Sequence, residues 1–147
     1  MGGILIYTIE ELSTITGLTT RTLRNYLKNG ILKGSKDTGA WQFTGQQVSE
    51  FAEHPSVRPS IQAKHRAIIY DFLAEQDQTE NEMCILLNRT AEEAEAKKMS
   101  DFFCREVSRL SHARFAYSYE SGKGHYILKG SESDVSRIMA DFHQEGD

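Results

Sequence analysis

Cysteine and proline are both scarce, with two of each in 147 residues. Cys84 and Cys104 stand apart with no CxxC spacing. Neither a disulfide framework nor a zinc knuckle is signalled, which fits a reducing compartment. No apolar run reaches the roughly eighteen residues of a membrane span, so no membrane partner is expected. The opening Met1-Gly2-Gly3-Ile4-Leu5-Ile6 lacks both the Ser/Thr of a myristoylation signal and the basic start of a signal peptide. A cytoplasmic location is therefore expected. His54, His65, His112, His125 and His143 are scattered without HxxxH spacing. With no nucleophile–base pair, paired carboxylates or metal spacing, the expectation is a protein that is not an enzyme and uses no cofactor or metal.

The chain also lacks an overall basic charge, being −4 in net. That average hides an asymmetry. Residues 1–60 carry six Lys/Arg against five Asp/Glu, whereas residues 61–147 carry eleven against sixteen. Within residues 19–36 stand Arg21, Arg24, Lys28, Lys33 and Lys36 with no acid among them. A basic stripe on an acidic chain suits a surface that touches phosphates, because the remainder repels the polyanion and sets orientation.

Both prolines, Pro55 and Pro59, fall in His54-Pro55-Ser56-Val57-Arg58-Pro59-Ser60. Proline breaks helices and stiffens linkers, so residues 55–60 are read as a linker between domains at 1–54 and 61–147. In the first, Thr8-Ile9-Glu10-Glu11 is a capping box that opens a helix through Leu12 and Ile15, ended by Gly17. Thr19 then caps a helix over 20–28, with Leu23 and Tyr26 or Leu27 inward and Arg21, Arg24, Asn25 and Lys28 outward. Asn29-Gly30 stops it. Ile31-Leu32-Lys33 and Ala40-Trp41-Gln42-Phe43 read as two strands around a Gly34-to-Gly39 turn. Thr44-Gly45-Gln46-Gln47 caps a further helix through Val48, Phe51 and Ala52.

The second domain reads as ααα-ββ-α. Helix 62–76 would bury Ile68, Ile69, Phe72 and Leu73. Thr79-Glu80-Asn81-Glu82 would cap a short helix with Met83, Leu86 and Leu87 inward. Thr90-Ala91-Glu92-Glu93 would cap a long one, 91–111, carrying Phe102, Phe103, Val107 and Leu110. Alternating Phe115-Tyr117-Tyr119 and Tyr126-Leu128 flank Ser121-Gly122-Lys123-Gly124 as a β-hairpin. A last helix over 132–143 lines up Val135, Ile138, Met139 and Phe142. The fold class is thus mainly α with a small β component (α+β), led by a winged helix-turn-helix.

Two short helices around a glycine turn, followed by a hairpin, outline that winged helix-turn-helix. A recognition helix exposes cations and amides to phosphates and base edges while its other face packs. Thr20-Arg21-Thr22-Leu23-Arg24-Asn25-Tyr26-Leu27-Lys28 meets both demands. Tyr7-Thr8-Ile9-x-Glu11-Leu12, Thr16-Gly17-Leu18, Arg21-Thr22-Leu23-Arg24-x-Tyr26 and Gly30-Ile31-Leu32-Lys33 follow one another as in the MerR-type DNA-binding domain, which residues 7–54 resemble. The resemblance implies that Arg24 and Tyr26 contact the DNA backbone, that Arg21 lies in or beside the major groove, and that Lys33 and Lys36 sit on the wing. Thr20, Asn25 and Lys28 complete the expected DNA-binding set. MerR proteins usually have Pro where Gly34 stands and a second Tyr at Asn25. The segment Gly39-Ala40-Trp41-Gln42-Phe43 is closer to the wing of excisionase-like proteins, with Gln42 in place of an arginine; Trp41 is read as packing.

The resemblance implies dimerisation and effector sensing for the second domain. The expected function is a transcription regulator that binds double-stranded DNA as a homodimer, under a small-molecule effector. The alternatives are an excisionase-like architectural factor and a protein-interaction module that docks on another regulator. Cys84 and Cys104, each in an apolar helical context, are read as core residues rather than metal ligands. The Phe115, Tyr117, Tyr119 and Tyr126 set suits cross-strand pairing better than a ligand pocket.

Overall fold

The computed structural model describes residues 5–74 and 80–145. The chain divides into two compact units, Met1–His65 and Arg66–Asp147.

The first unit opens with strand β1 (Ile6–Thr8), then helices α1 (Ile9–Thr16) and α2 (Thr20–Lys28), strand β2 (Gln42–Thr44) and helix α3 (Gly45–Glu53). Both capping boxes form. The Glu11 N–H donates to Thr8 Oγ1 (3.0 Å) while the Thr8 N–H donates to Glu11 Oε1 (2.8 Å). Thr44 and Gln47 repeat the exchange at 3.1 and 3.0 Å. These bonds satisfy amides that a helix start otherwise leaves unpaired. Leu12, Leu23, Leu32, Phe43, Phe51 and Val57 are all but fully buried and form the core. At about 1.5–3 kcal/mol for each fully buried side chain, they dominate what holds so small a unit together.

Two expectations for this unit are corrected. Residues 31–33 form no strand, Ile31 and Leu32 being a bend; the pairing toward the turn is the single bridge between Ser35 and Gln42. The strand that pairs with β2 is instead β1, antiparallel, with Tyr7 opposite Phe43. Tyr7 and Phe43 are both buried, so this short ladder sits over the core.

Helix α4 (Arg58–Ala74) begins four residues earlier than expected, and the division between the units falls within it, after His65. Pro59 lies in its first turn. There a missing N–H costs no helical hydrogen bond, and the fixed φ already suits a helix. Leu73, expected inward, is exposed, and Ile69 and Phe72 are half-buried; Ile68 alone of the four is buried. Residues 75 and 76 of the expected helix lie outside the described residues, as does Thr79.

The second unit continues with strand β3 (Glu82–Thr90), helix α5 (Glu93–Ser108), strands β4 (Arg114–Glu120) and β5 (Lys123–Ser131), and helix α6 (Glu132–Glu145). The expected short helix through Met83, Leu86 and Leu87 is therefore a nine-residue strand, and the order is αβα-ββ-α. α5 is capped by Glu92 without a side-chain bond, not by Thr90. The sheet order is β3-β5-β4, with both neighbours antiparallel to β5. Ser121 (φ 52°) and Gly122 (φ 77°) make the two-residue turn between β4 and β5, the primed geometry that matches strand twist.

Helices α5 and α6 pack on one face of this sheet. Phe103 is the hub of the core, with ring centroids 5.1 Å from Phe142, 5.3 Å from Phe115 and 5.9 Å from Tyr126. The Tyr126 hydroxyl donates to the Ala96 carbonyl at 3.0 Å, and burial pushes its pKa up to about 12, with the Arg89 charge opposing. Phe102, Phe103, Val107, Ile138 and Phe142 are thus spent on the unit's own interior.

Candidate nucleic-acid interface

The turn between α1 and α2 is built by short polar side chains. Gly17 takes φ 82°, a left-handed conformation that ends α1, and its N–H donates to Ser13 O. A Cβ there would also meet Lys64 Cβ at 2.7 Å. Ser13 Oγ donates to the Leu18 carbonyl (2.6 Å), Thr16 Oγ1 donates to Leu12 O (2.7 Å), and the Leu18 N–H donates to Thr16 Oγ1 (3.1 Å). Leu18 is buried, so the turn is pinned from inside. Thr19 then caps α2, accepting from the Thr22 N–H at 3.1 Å.

On α2 the spacing i, i+3, i+4, i+7 puts Arg21, Arg24, Asn25 and Lys28 on one stripe, and all four are exposed. Leu23 is the helix's buried residue, on the opposite side. No acid stands in the first turn. The positive end of the helix dipole is therefore free to favour anions. Thr20 and Tyr26 are half-buried and lie off this stripe. Tyr26 turns its ring edge-on to Phe51 of α3.

The segment after α2 folds back on it. The Tyr26 carbonyl accepts from the Ile31 and Leu32 N–H groups at 3.0 and 3.1 Å. Ser35 and Gln42 exchange backbone bonds of 2.9 and 2.7 Å, which close the loop carrying Lys36. Trp41 stacks on Phe43 with centroids 6.2 Å apart, and Lys36 Nζ lies 5.8 Å from the Trp41 ring centre. Lys33 and Lys36 are exposed on this loop. A Cβ on Gly34 would lie 2.6 Å from the Phe43 ring and 2.9 Å from the Gln42 carbonyl, so the loop passes here only without a side chain.

One contact had no signal in the sequence. His65 Nε2 sits 2.7 Å from the Ile15 carbonyl, across fifty residues of chain. A carbonyl only accepts, so Nε2 carries the proton and satisfies one of the acceptors left over at the end of α1. Burial pushes the His65 pKa below its usual value, partly offset by that bond. Among the described residues, no group of three or more His, Cys, Asp or Glu could hold a metal ion, and no helix is long and apolar enough to cross a membrane. Cys84 and Cys104 are both half-buried.

The chain matches no curated protein and no solved structure. Residues 7–53 match the model of the MerR HTH family regulatory proteins, over the span that carries α1, α2 and α3. Those residues are a MerR-like helix-turn-helix segment, the DNA-binding unit of a transcription regulator.

Proposed function

We propose that the chain is a sequence-specific regulator that binds duplex DNA as a homodimer, inserting α2 into the major groove. The observation that carries this reading is the exposed, acid-free stripe of Arg21, Arg24, Asn25 and Lys28 on the second helix of a MerR-like segment. Arginine and lysine on that stripe reach phosphates, while Asn25 and Arg21 offer donors to base edges. Lys33 and Lys36 add phosphate contacts from the wing loop.

A single module of this size buries only about 600–1,000 Å² on DNA, too little to select one site in a genome, and a two-fold pair doubles that. The second unit supports this role. Tyr70, Leu73 and Leu86 are large, apolar and well exposed there, against Ile6 alone among the described residues of the first unit. An effector, of the kind the resemblance implies, would act on the same unit.

Binding to the DNA upstream of its own gene, compared with an unrelated duplex of equal length, tests the reading. Preference on the order of a thousandfold at physiological salt is expected. Equal affinity for both would contradict it. The stacked Trp41–Phe43 wing favours an architectural factor as the second reading; a large bend in the bound duplex would support that one instead.

A further inference from the structure

Among the described residues the order β3-β5-β4 leaves β3 with a neighbour on one side only. With β4 it forms a split βαβ around β5, and a long strand of this kind at an edge is a template for another strand. Natural edges are usually blunted by charge or proline. β3 has neither from Met83 to Leu87. On the sheet face turned away from α5 and α6, Ala116 of β4 is 1% exposed and Arg114 is held by Asp71 of α4 at 2.8 Å. On the same face of β3, Leu86 is 59% exposed and stands at the strand's midpoint.

We propose that β3 is where a second copy of this chain docks, the two β3 strands running antiparallel about a two-fold axis at Leu86. This rests on the homodimer reading and names its interface. The register sets Leu86 against Leu86, Ile85 against Leu87, Cys84 against Asn88, Met83 against Arg89 and Glu82 against Thr90. No like charges stand opposite: Glu82 of one strand meets Thr90 of the other, and Arg89 meets Met83. Strand alternation keeps each side chain on its own face, so two three-stranded sheets become one of six with α5 and α6 of both copies on one side. The pairing is isologous: it consumes the same edge in both copies and closes at two. Apolar cross-strand pairs and the backbone ladder supply the affinity.

The test uses the full chain. Light scattering at tens of micromolar gives a dimer for the wild type, and Leu86→Lys weakens it on the order of tenfold or more by setting two like charges opposite. Leu86 is exposed, so the thermal unfolding of the monomer stays as it was. In a Cys84→Ser, Cys104→Ser background, Leu86→Cys closes a covalent dimer under diamide, because directly opposed residues lie within disulfide reach. Thr90→Cys, eight residues from its own symmetry mate, does not. A wild-type dimer that tolerates Leu86→Lys and fails to cross-link through position 86 overturns this interface and leaves the homodimer reading standing. Cross-linking at Thr90→Cys in place of Leu86→Cys overturns the register and with it the proposal. A wild-type monomer overturns both.

Discussion

Tyr26 of α2 meets Phe51 of α3 with ring centroids 5.4 Å apart at 71°, an edge-to-face pair that ties the helix carrying the basic stripe to the helix that follows β2. Phe51 is 1% exposed, so the contact is part of the core. Such a pair adds about 0.5–1.5 kcal/mol beyond area burial. Tyr26→Ala should therefore destabilise the first unit by about 2–4 kcal/mol in urea unfolding. Tyr26→Phe keeps the ring and separates two roles: unchanged stability with weakened DNA binding assigns the hydroxyl to a phosphate, whereas unchanged binding leaves the residue to packing alone.

Gly34→Ala should also destabilise the first unit, by about 1–3 kcal/mol, because its Cβ must displace the Phe43 ring or the Gln42 carbonyl. The urea midpoint should fall at unchanged m. An unshifted midpoint would mean that the loop has room to move.

Much of the first unit is legible in the sequence because its signals are local. Thr8, Thr19 and Thr44 announce their helices within three residues, and Gly17 announces the turn between two of them. The errors lie where a partner is remote. Met83, Leu86 and Leu87 satisfy helical spacing, yet the uncharged run from Met83 to Leu87 serves as a strand once β5 supplies Leu128 opposite Ile85 and Tyr126 opposite Leu87. Nothing near Glu82 encodes that pairing with residues so far along the chain. β1 is similar: three residues are too few for a period, and only Phe43 across from Tyr7 makes them a strand. Pro59 misleads because a proline in a first helical turn and one in a linker look alike. The exposed stripe on α2 is readable from spacing alone, whereas the diversion of Tyr26 to Phe51 depends on where α3 lies.

The histidine–carbonyl bond predicts a pH dependence. His65 is held below its usual pKa by burial, so the unfolded chain takes up the proton first as pH falls. The stability it contributes is present above its unfolded value near 6.5 and is lost as pH drops through that value toward the folded one. Unfolding midpoints of wild type and His65→Gln between pH 7.5 and pH 5, roughly the range in which a histidine titrates, check this. The wild type should lose more stability than the variant; parallel curves would contradict the account.

Cys84 is the more informative of the two thiols. Burial raises its pKa, with Lys129 opposing and Glu82 reinforcing, so the thiolate is scarce at neutral pH. Alkylation at Cys84 should be slower than at a free thiol and should accelerate at a pH above the usual thiol range. Zinc, mercury or copper should bind no tighter to the wild type than to a Cys84→Ser, Cys104→Ser double mutant. A metal-induced change in DNA affinity that vanishes in that mutant would assign the cysteines a sensing role.

The central claim is that the stripe on α2 meets DNA phosphates, and the salt dependence of Arg24→Ala tests it most directly. Each neutralised phosphate contributes a slope of about −0.9 to log K against log salt. Arg24→Ala should weaken binding to all duplexes alike and flatten that slope by about one unit. Binding at wild-type strength with an unchanged slope would contradict the assignment of this helix to DNA.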